Sequence, residues 1–236
     1  MPSARRFMKG RGNMVVKRAL VESRPWLLLS LMAAISYYFV SDAPIPGLYL
    51  MLWKGLGLAF LGVFALARHH SLDGRMLACV MALGAIGDML IEIDLIYGAI
   101  AFLLGHVVAI VLYARHRRQT LTPSQRMFAI VLVPAVVLIA WALPIDRTGA
   151  TGIAVYSLFL AVMAAMAWTS DFPRYRVGTG ALMFVASDLL IFARLGPLEG
   201  SVLPEWLIWP LYYFGQFLIC TGVIQSLRHR DPRVAS

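Results

Sequence analysis

The chain contains eight long blocks of apolar residues, each about long enough to cross a membrane as a helix. An α-helix rises 1.5 Å per residue, so about 20 residues cover a hydrocarbon layer ~30 Å thick. Of the 236 residues, 60% are apolar and 14% are charged, and the mean hydropathy is +0.76. This composition is too apolar for a soluble domain of this length. The sequence therefore predicts an all-α, polytopic membrane protein.

We predict one bundle of eight transmembrane helices. Their predicted bounds are Trp26–Val40, Gly47–Ala67, Met76–Ile93, Leu95–Ala114, Met127–Leu143, Gly152–Trp168, Val177–Ala193 and Trp206–Leu227. Pro134 should kink the fifth helix, because proline removes a hydrogen bond inside a helix. The linkers are short and rich in turn-forming residues. We expect a basic cytoplasmic N-terminal segment over residues 1–25, a transmembrane domain over residues 26–227 and a cytoplasmic tail over residues 228–236.

The positive charges are distributed unevenly among the connections. Of the 21 Lys and Arg residues, 18 lie before the first helix, in every second connection or in the C-terminal tail. Because Lys and Arg concentrate on the cytoplasmic side, both termini are predicted to lie in the cytoplasm. Topology and contact with anionic membrane lipids then explain the net charge of +9, and we expect no nucleic-acid binding. We expect an integral protein of the bacterial inner (cytoplasmic) membrane.

The basic N-terminus resembles the start of a secretory signal, but no small-residue cleavage site follows the first apolar block. We therefore predict a retained anchor. Cys79 and Cys220 lie in apolar helices and have neither the spacing of metal ligands nor that of a disulfide framework. We predict that both cysteines pack in the bundle. We expect no metal and no cofactor.

Several polar residues lie well inside the apolar segments. The ionisable ones are Lys54, Asp88, His106 and Asp188. A charge at the centre of a membrane helix costs roughly 2.5–3.5 kcal/mol on insertion scales. Four such residues, together with Gln216 in the last helix, therefore indicate a shared polar interior. Glu92 lies one turn beyond Asp88 but near the end of its helix, so it is a secondary candidate.

The two halves of the chain echo each other around the aspartates. The stretches "GAIGDMLIEI" at 84–93 and "FVASDLLIFA" at 184–193 each place an aspartate inside an apolar helix. The helices that follow contain "AFLLGHVVAIVLY" and "YYFGQFLICTG". The third and seventh helices would run in the same direction, so a repeat would be parallel, four helices plus four. Such a repeat would bring Asp88 and Asp188 to a common central axis.

An ordered set of phrases connects the chain to a known family. They are "WKGLGLAF", "GDMLIEI", "FLLGH", "VYSLFLAVMAAMAW", "GALMFVASDLLIFARL" and "YYFGQFLI". Between Lys54 and Gly222 this series resembles the YhhN family of membrane lysoplasmalogenases. Gly55 departs from the family pattern, which commonly has proline after the lysine. The resemblance implies an eight-helix bundle that hydrolyses the vinyl ether bond of a lysophospholipid, lysoplasmalogen, to a fatty aldehyde and a glycerophospho-base.

Buried carboxyl groups suit this reaction. Vinyl ether hydrolysis begins with protonation of the outer alkene carbon and passes through an oxocarbenium ion. Asp88 and Asp188 are the predicted catalytic residues, one as a protonated acid and one as an anion. A low-dielectric pocket can divide two carboxyls in this way, as in glycosidases. The neighbouring Glu92 favours Asp88 as the acid.

Five other residues are predicted to support the site. Lys54 can offset a carboxylate or bind the lipid phosphate, and His106 can shuttle a proton. The candidate contacts to substrate or water are Tyr156, Tyr212 and Gln216.

Two other interpretations remain open. The aspartates can pair with Lys54 and His106 only to join helices, since polar pairs stabilise membrane bundles. The same cluster of Asp, His and Lys also fits a proton-coupled small-molecule transporter. Against a transporter, no helix has the paired Gly and Pro breaks found at many transport sites.

Overall fold

Eight α-helices follow one another along residues 24–230, the part of the chain that this computed structural model describes. They are α1 Arg24–Val40, α2 Gly47–Arg68, α3 Leu72–Leu90, α4 Leu95–Arg115, α5 Pro123–Ala142, α6 Ala150–Thr169, α7 Thr179–Ala193 and α8 Leu203–Arg230. A short π-helical turn, Arg174–Gly178, leads directly into α7. The predicted set of eight helices is confirmed over these residues, and each bound lies within four residues of its predicted position.

Six of these helices are long and apolar enough to cross a membrane, namely α2, α4, α5, α6, α7 with its π-helical turn, and α8. Helix α1 has only 17 residues. Helix α3 has 19 residues and carries Asp73, Arg75 and Asp88. The protein has the apolar helices of an integral membrane protein, whereas eight crossings and cytoplasmic termini stay predictions. The predicted N-terminal anchor and most of the predicted tail lie outside the described residues.

The helices form a closed ring with two helices outside it. Around the ring, α2, α3, α4, α6, α7 and α8 each pack against the next, and α8 returns to α2 and α3. Helix α1 lies against α2, and α5 lies against α6 and α7. The two halves are α1–α4 and α5–α8. In each half the first helix lies outside the ring, and the fourth helix packs against the second helix of the other half, α4 against α6 and α8 against α2. A parallel four-plus-four repeat produces this arrangement.

Two glycines show the same repeat at atomic detail. Gly105 in α4 and Gly215 in α8 each face the preceding helix of their own half. The residues nearest to a Cβ atom added at these glycines include Val80 and Leu83 in the first half and Gly180 and Met183 in the second. The second pair lies 100 positions after the first, which is also the separation of the two aspartates. The halves thus share one packing arrangement.

Prolines inside α5 and α8 do not end these helices. Helix α5 continues through Pro134, so the predicted kink does not interrupt it. Helix α8 continues through Pro210, which cannot donate a hydrogen bond to the carbonyl of Trp206 four residues earlier. The hydroxyl of Tyr38 in α1 lies 3.3 Å from that carbonyl oxygen and donates to it. Helix α1 is thereby joined to α8 where α8 lacks its own bond.

The two cysteines differ in burial. Cys220 is buried, and its Sγ lies 3.6 Å from the carbonyl oxygen of Leu61, so it packs as predicted. Cys79 is exposed on α3, and the prediction that it packs in the bundle is wrong. The apolar neighbours of Cys79 in the sequence do not distinguish a buried helix face from an outward one, because both are apolar in a membrane protein.

A charged network joins the helix ends at the side of the bundle where α3 begins. Asp73, which precedes the apolar part of α3, accepts hydrogen bonds from Arg115 at 2.8 Å and His116 at 2.9 Å. Burial alone would raise the pKa of Asp73, but these hydrogen bonds outweigh it and hold the pKa below its usual range. Arg230 at the end of α8 contacts the Asp171 carboxylate at 2.9 Å. These contacts bring together the start of α3 and the ends of α4, α6 and α8.

Candidate active site

Asp88 in α3 and Asp188 in α7 are both buried, with exposed fractions of 2% and 5%. Both line one cavity of about 560 Å³, which we call the polar cavity. It is enclosed by the last turns of α1, α3 and α7 and the first half of α2 and α8. The structure therefore brings together the two carboxyl groups that lie 100 positions apart in the sequence.

Each aspartate accepts a hydrogen bond from a tyrosine. The hydroxyl of Tyr212 in α8 donates to Oδ2 of Asp88 at 3.0 Å, and that of Tyr156 in α6 donates to Oδ2 of Asp188 at 2.6 Å. His106 Nε2 lies 3.2 Å from the Tyr156 hydroxyl. Since that hydroxyl directs its proton at Asp188, His106 acts as the donor to Tyr156. A chain of hydrogen bonds thus runs from α4 through α6 to α7.

Lys54 forms an ion pair with Glu92, whereas its expected partner was one of the two aspartates. Its Nζ lies 2.5 Å from Oε1 of Glu92, and both residues line the polar cavity. The ring centre of Tyr37 lies 5.9 Å from the same ammonium group. Because Lys54 compensates the charge of Glu92, Glu92 no longer gives a reason to choose Asp88 as the acid. The predicted helix-joining pairs of the aspartates with Lys54 and His106 are replaced by pairs with tyrosines.

His106 and Gln216 lie deeper in the bundle than expected. Both are buried, and neither is among the residues that line the polar cavity. They follow the equivalent glycines of α4 and α8 and so occupy matching positions in the two halves. Gln216 Oε1 has no hydrogen-bond partner among the described residues. The expected common lining of five polar residues is therefore observed for Lys54 and the two aspartates but not for His106 or Gln216.

Small residues let the neighbouring helices approach α3 around Asp88. A Cβ atom added at Gly84 would lie 2.5 Å from Leu58 Cδ2 and 3.3 Å from the Tyr212 hydroxyl. One added at Gly87 would lie 2.8 Å from the Phe102 ring. A Cβ atom added at Gly55 in α2 would lie 3.1 Å from the Ala85 carbonyl oxygen of α3. Close approach of α2, α4 and α8 thus encloses the Asp88 carboxyl.

Aromatic rings form the wall between the two aspartates and the bundle core. The ring centre of Tyr212 lies 5.1 Å from that of Phe184 and 5.7 Å from that of Phe102. Phe102 lines the polar cavity but was not predicted as a site residue. A signal was present, because Phe102 precedes Gly105 by three positions as Tyr212 precedes Gly215. These contacts fix the Tyr212 ring from two sides.

A second cavity of about 620 Å³, which we call the apolar cavity, lies between the first halves of α4 and α6 and the end of α7. Tyr156 lines this cavity, and Asp188 lines both cavities. This cavity could not be predicted from the sequence, since its lining is mostly aliphatic and resembles any lipid-facing surface. The lining of the polar cavity also includes charged residues that were not predicted as site residues, namely Asp42, Arg194 and Glu205.

The geometry can support acid–base chemistry at one bond. Two carboxyl groups face a polar space, and a phenol proton is directed at each of them. In the described residues, no group of three or more His, Cys, Asp or Glu side chains has the arrangement of a metal site. The adjoining apolar space offers room for a hydrocarbon group next to Asp188.

The sequence model of the YhhN family matches residues 49–223, well over half of the chain. The chain belongs to the YhhN family. All seven predicted site residues, from Lys54 to Gln216, lie inside the matched range. None of the curated proteins or solved structures compared with the chain matches it.

Proposed function

We propose that this member of the YhhN family is a membrane hydrolase that cleaves the vinyl ether bond of lysoplasmalogen to a fatty aldehyde and a glycerophospho-base. The observation that carries the proposal is the shared lining of one cavity by Asp88 and Asp188. Family membership is consistent with this function. The reaction needs a proton donor and an anion within reach of one bond, and two buried carboxyl groups can supply both.

In the first step, one aspartic acid gives its proton to the outer alkene carbon. The π electrons form the new C–H bond, and the positive charge is shared between the inner carbon and the ether oxygen. The other aspartate is an anion and stabilises this oxocarbenium ion. The arrangement is analogous to the two carboxyl groups of glycosidases, whose transition state has the same character.

In the second step, the anionic aspartate takes a proton from water as the water oxygen bonds to the cationic carbon. The product is a hemiacetal. Its hydroxyl proton returns to the first aspartate, the bond to the glycerol oxygen breaks, and the second aspartate protonates that oxygen. One water molecule is consumed, and both carboxyl groups regain their initial protonation states.

The tyrosines and the lysine have supporting roles in the proposal. The hydroxyls of Tyr156 and Tyr212 orient the carboxyl groups and stabilise their anionic forms through the hydrogen bonds described above. His106 orients Tyr156 and acts on Asp188 only through it. The ion pair of Lys54 with Glu92 lines the polar cavity, and the Lys54 ammonium group is placed there to attract the lipid phosphate.

The test is incubation of the purified, detergent-solubilised protein with lysoplasmalogen and, separately, with its saturated-ether analogue. We expect aldehyde from the vinyl ether lipid alone, because a saturated ether has no alkene carbon to protonate. Release from both lipids would contradict the protonation mechanism. Absence of aldehyde from a folded preparation would contradict the hydrolase.

The alternative of a proton-coupled small-molecule transporter draws on the same buried carboxyl groups and on the internal repeat. Detergent solution separates the two functions, because transport needs a sealed compartment and hydrolysis does not. Proton-linked solute uptake into proteoliposomes, together with no aldehyde release in detergent, would favour the transporter.

A further inference from the structure

The apolar cavity is not used by the chemistry of the two carboxyl groups. Its volume of about 620 Å³ lies within the ~300–1,000 Å³ typical of ligand pockets. Its polar side chains are Thr148, Thr151, Tyr156 and Asp188, and every other lining residue is apolar or glycine. Asp188 is the charged residue in this lining. A ligand of this cavity must therefore be a hydrocarbon group with a polar end near Asp188.

The rim of the apolar cavity faces outward from the helix ring. Ile96 and Ile100 on α4 and Val155 on α6 line it and are exposed. Exposed aliphatic side chains on membrane helices contact lipid chains. The cavity therefore opens sideways toward the hydrocarbon layer, and a lipid chain can enter it without crossing water.

The two cavities meet at one place. Ile91, Phe102, Asp188 and Ile191 line both of them. A molecule that occupies both cavities has its apolar part on one side of Asp188 and its polar part on the other. In a vinyl ether lysolipid, the enol ether is the link between the alkyl chain and the glycerophosphate. The reacting bond of such a lipid would lie at this junction.

We propose that the apolar cavity between α4 and α6 is the binding site for the alkyl chain of the lysophospholipid substrate. This inference rests on the proposed function. Hydrocarbon in the cavity and hydrocarbon in the bilayer are similar environments, so the chain gains little from the transfer itself. The cavity therefore selects by shape and length and places the enol ether beside the carboxyl groups.

This placement also divides the roles of the aspartates. The outer alkene carbon belongs to the alkyl chain and so lies on the side of Asp188, which borders the apolar cavity. Asp88 lines the polar cavity and faces the carbon that water attacks. Asp188 is then the proton donor: its O–H bond breaks, the π electrons form the C–H bond, and the Asp188 carboxylate and an oxocarbenium ion remain. The sequence favoured Asp88 for this role.

The binding site can be tested by filling the cavity. A Cβ atom added at Gly152, which lines the apolar cavity, has no heavy atom within 4 Å, so the backbone there accepts a side chain and Gly152→Leu and Gly152→Trp add volume at the cavity lining. Gly47→Leu is the matched control, because Gly47 also has open space and lines neither cavity. The probes are saturated-ether lysophosphocholines with progressively longer alkyl chains, and their Kd is measured in detergent.

We expect the Gly152 variants to bind the longer chains at least about tenfold more weakly, a typical effect of overpacking. Binding of the shortest chains should change little, and Gly47→Leu should match the wild type. An unchanged chain-length profile in folded Gly152 variants would overturn the assignment. Because these probes are not hydrolysed, a shifted profile supports the chain site even where the wild type releases no aldehyde, which would contradict only the proposed hydrolysis.

The role of Asp188 has its own test in azide rescue. Azide can attack an oxocarbenium ion without giving up a proton, so it can replace the water that Asp88 activates. It should restore vinyl ether consumption by Asp88→Ala and not by Asp188→Ala. Rescue of Asp188→Ala alone would reverse the two roles. Failure to rescue Asp88→Ala, with lipid binding intact, would also contradict the assignment.

Discussion

The ammonium group of Lys54 in α2 lies 2.5 Å from the carboxylate of Glu92 in the turn after α3, at the wall of the polar cavity. Lys54 is 17% exposed and Glu92 is 44% exposed, so solvent screens the pair only in part. The pair places a compensated charge one turn from Asp88. Lys54 therefore shields Asp88 from repulsion by Glu92 and forms its ion pair with Glu92 rather than with either aspartate.

Lys54→Met should lower kcat/KM about fivefold, in keeping with the ~1 kcal/mol of a partly exposed ion pair. Glu92→Gln should have a similar or smaller effect. The double variant should recover activity relative to Lys54→Met, because no unpaired Glu92 charge remains beside Asp88. The measurement is a double-mutant cycle on kcat/KM for aldehyde release. Strictly additive losses would mean that the two residues act independently.

Asp88→Asn and Asp188→Asn should each lower kcat by at least the ~10²-fold typical of losing general acid–base catalysis. Asparagine keeps the size of the side chain but can neither donate the proton nor carry the charge. The losses should not add in the double variant, since both groups act on the same reaction sequence. Binding of the saturated-ether lipid reports whether the site is intact. A folded double variant with near-normal kcat would leave the aspartates with a structural role.

Tyr156→Phe should lower kcat by about tenfold to a hundredfold. The Tyr156 hydroxyl stabilises the carboxylate that forms as Asp188 gives up its proton, and a hydrogen bond to a charged group is worth ~1.5–3 kcal/mol. The substitution leaves both the Asp188 carboxyl and His106 without the shared hydroxyl. Tyr213→Phe is the control, because Tyr213 is also buried, forms a hydrogen bond with Ser30 at 2.7 Å and lines neither cavity. Equal losses of kcat in the two variants would show that general packing, not the Asp188 contact, explains the effect.

Gly215→Ala should destabilise the bundle by about 1–3 kcal/mol, the usual cost of overpacking. The added Cβ would lie 2.7 Å from the Gly180 carbonyl oxygen, a backbone atom that cannot move aside alone. Gly105→Ala, the equivalent change in the first half, meets only Leu83 at 3.6 Å and Val80 at 3.8 Å and should be neutral or slightly stabilising. Thermal unfolding in detergent compares the two. Equal unfolding temperatures in the two variants would contradict the closer approach of α7 to α8 at Gly215 than of α3 to α4 at Gly105.

Reporter fusions after Val40 and after Ala67 should report opposite sides of the membrane, with the fusion after Ala67 in the cytoplasm. The expectation follows from the concentration of Lys and Arg in every second connection. The fusions test α2 directly and the inserted state of the short helix α1 indirectly. Signals from the same side would remove one crossing and with it the parallel relation of the two halves.

Much of the fold could be predicted because membrane helices are encoded by local composition. Apolar blocks predicted eight helices with bounds within four residues. The repeat of "GDML" and "SDLL" also predicted that Asp88 and Asp188 would meet, since equivalent helices of a parallel repeat lie around one axis. The rare polar residues were informative for a physical reason: burial in hydrocarbon is costly, so such residues are kept near each other.

The partners of these residues could not be predicted from the sequence. Which helices close the ring is decided by lateral packing, and apolar side chains face both lipid and core. The ring order brings Tyr156 to Asp188 and Tyr212 to Asp88 and leaves His106 and Gln216 behind them. The apolar cavity arises from a gap between α4 and α6, two helices that are not consecutive in the chain.

Both cavities lie at the end of the bundle opposite to the Asp73 and Arg230 network, and therefore opposite to the ends of α4, α6 and α8. If the proposed function is correct, a lysolipid reaches this site from the monolayer on the side of the two cavities. Under the proposed reaction, the protein acts on one leaflet only and leaves lysolipids of the other leaflet untouched until they cross the bilayer. The charged glycerophospho-base is released on the same face, whereas the uncharged aldehyde can spread through both leaflets. Under this proposal, a single orientation of the bundle makes lipid breakdown a sided process.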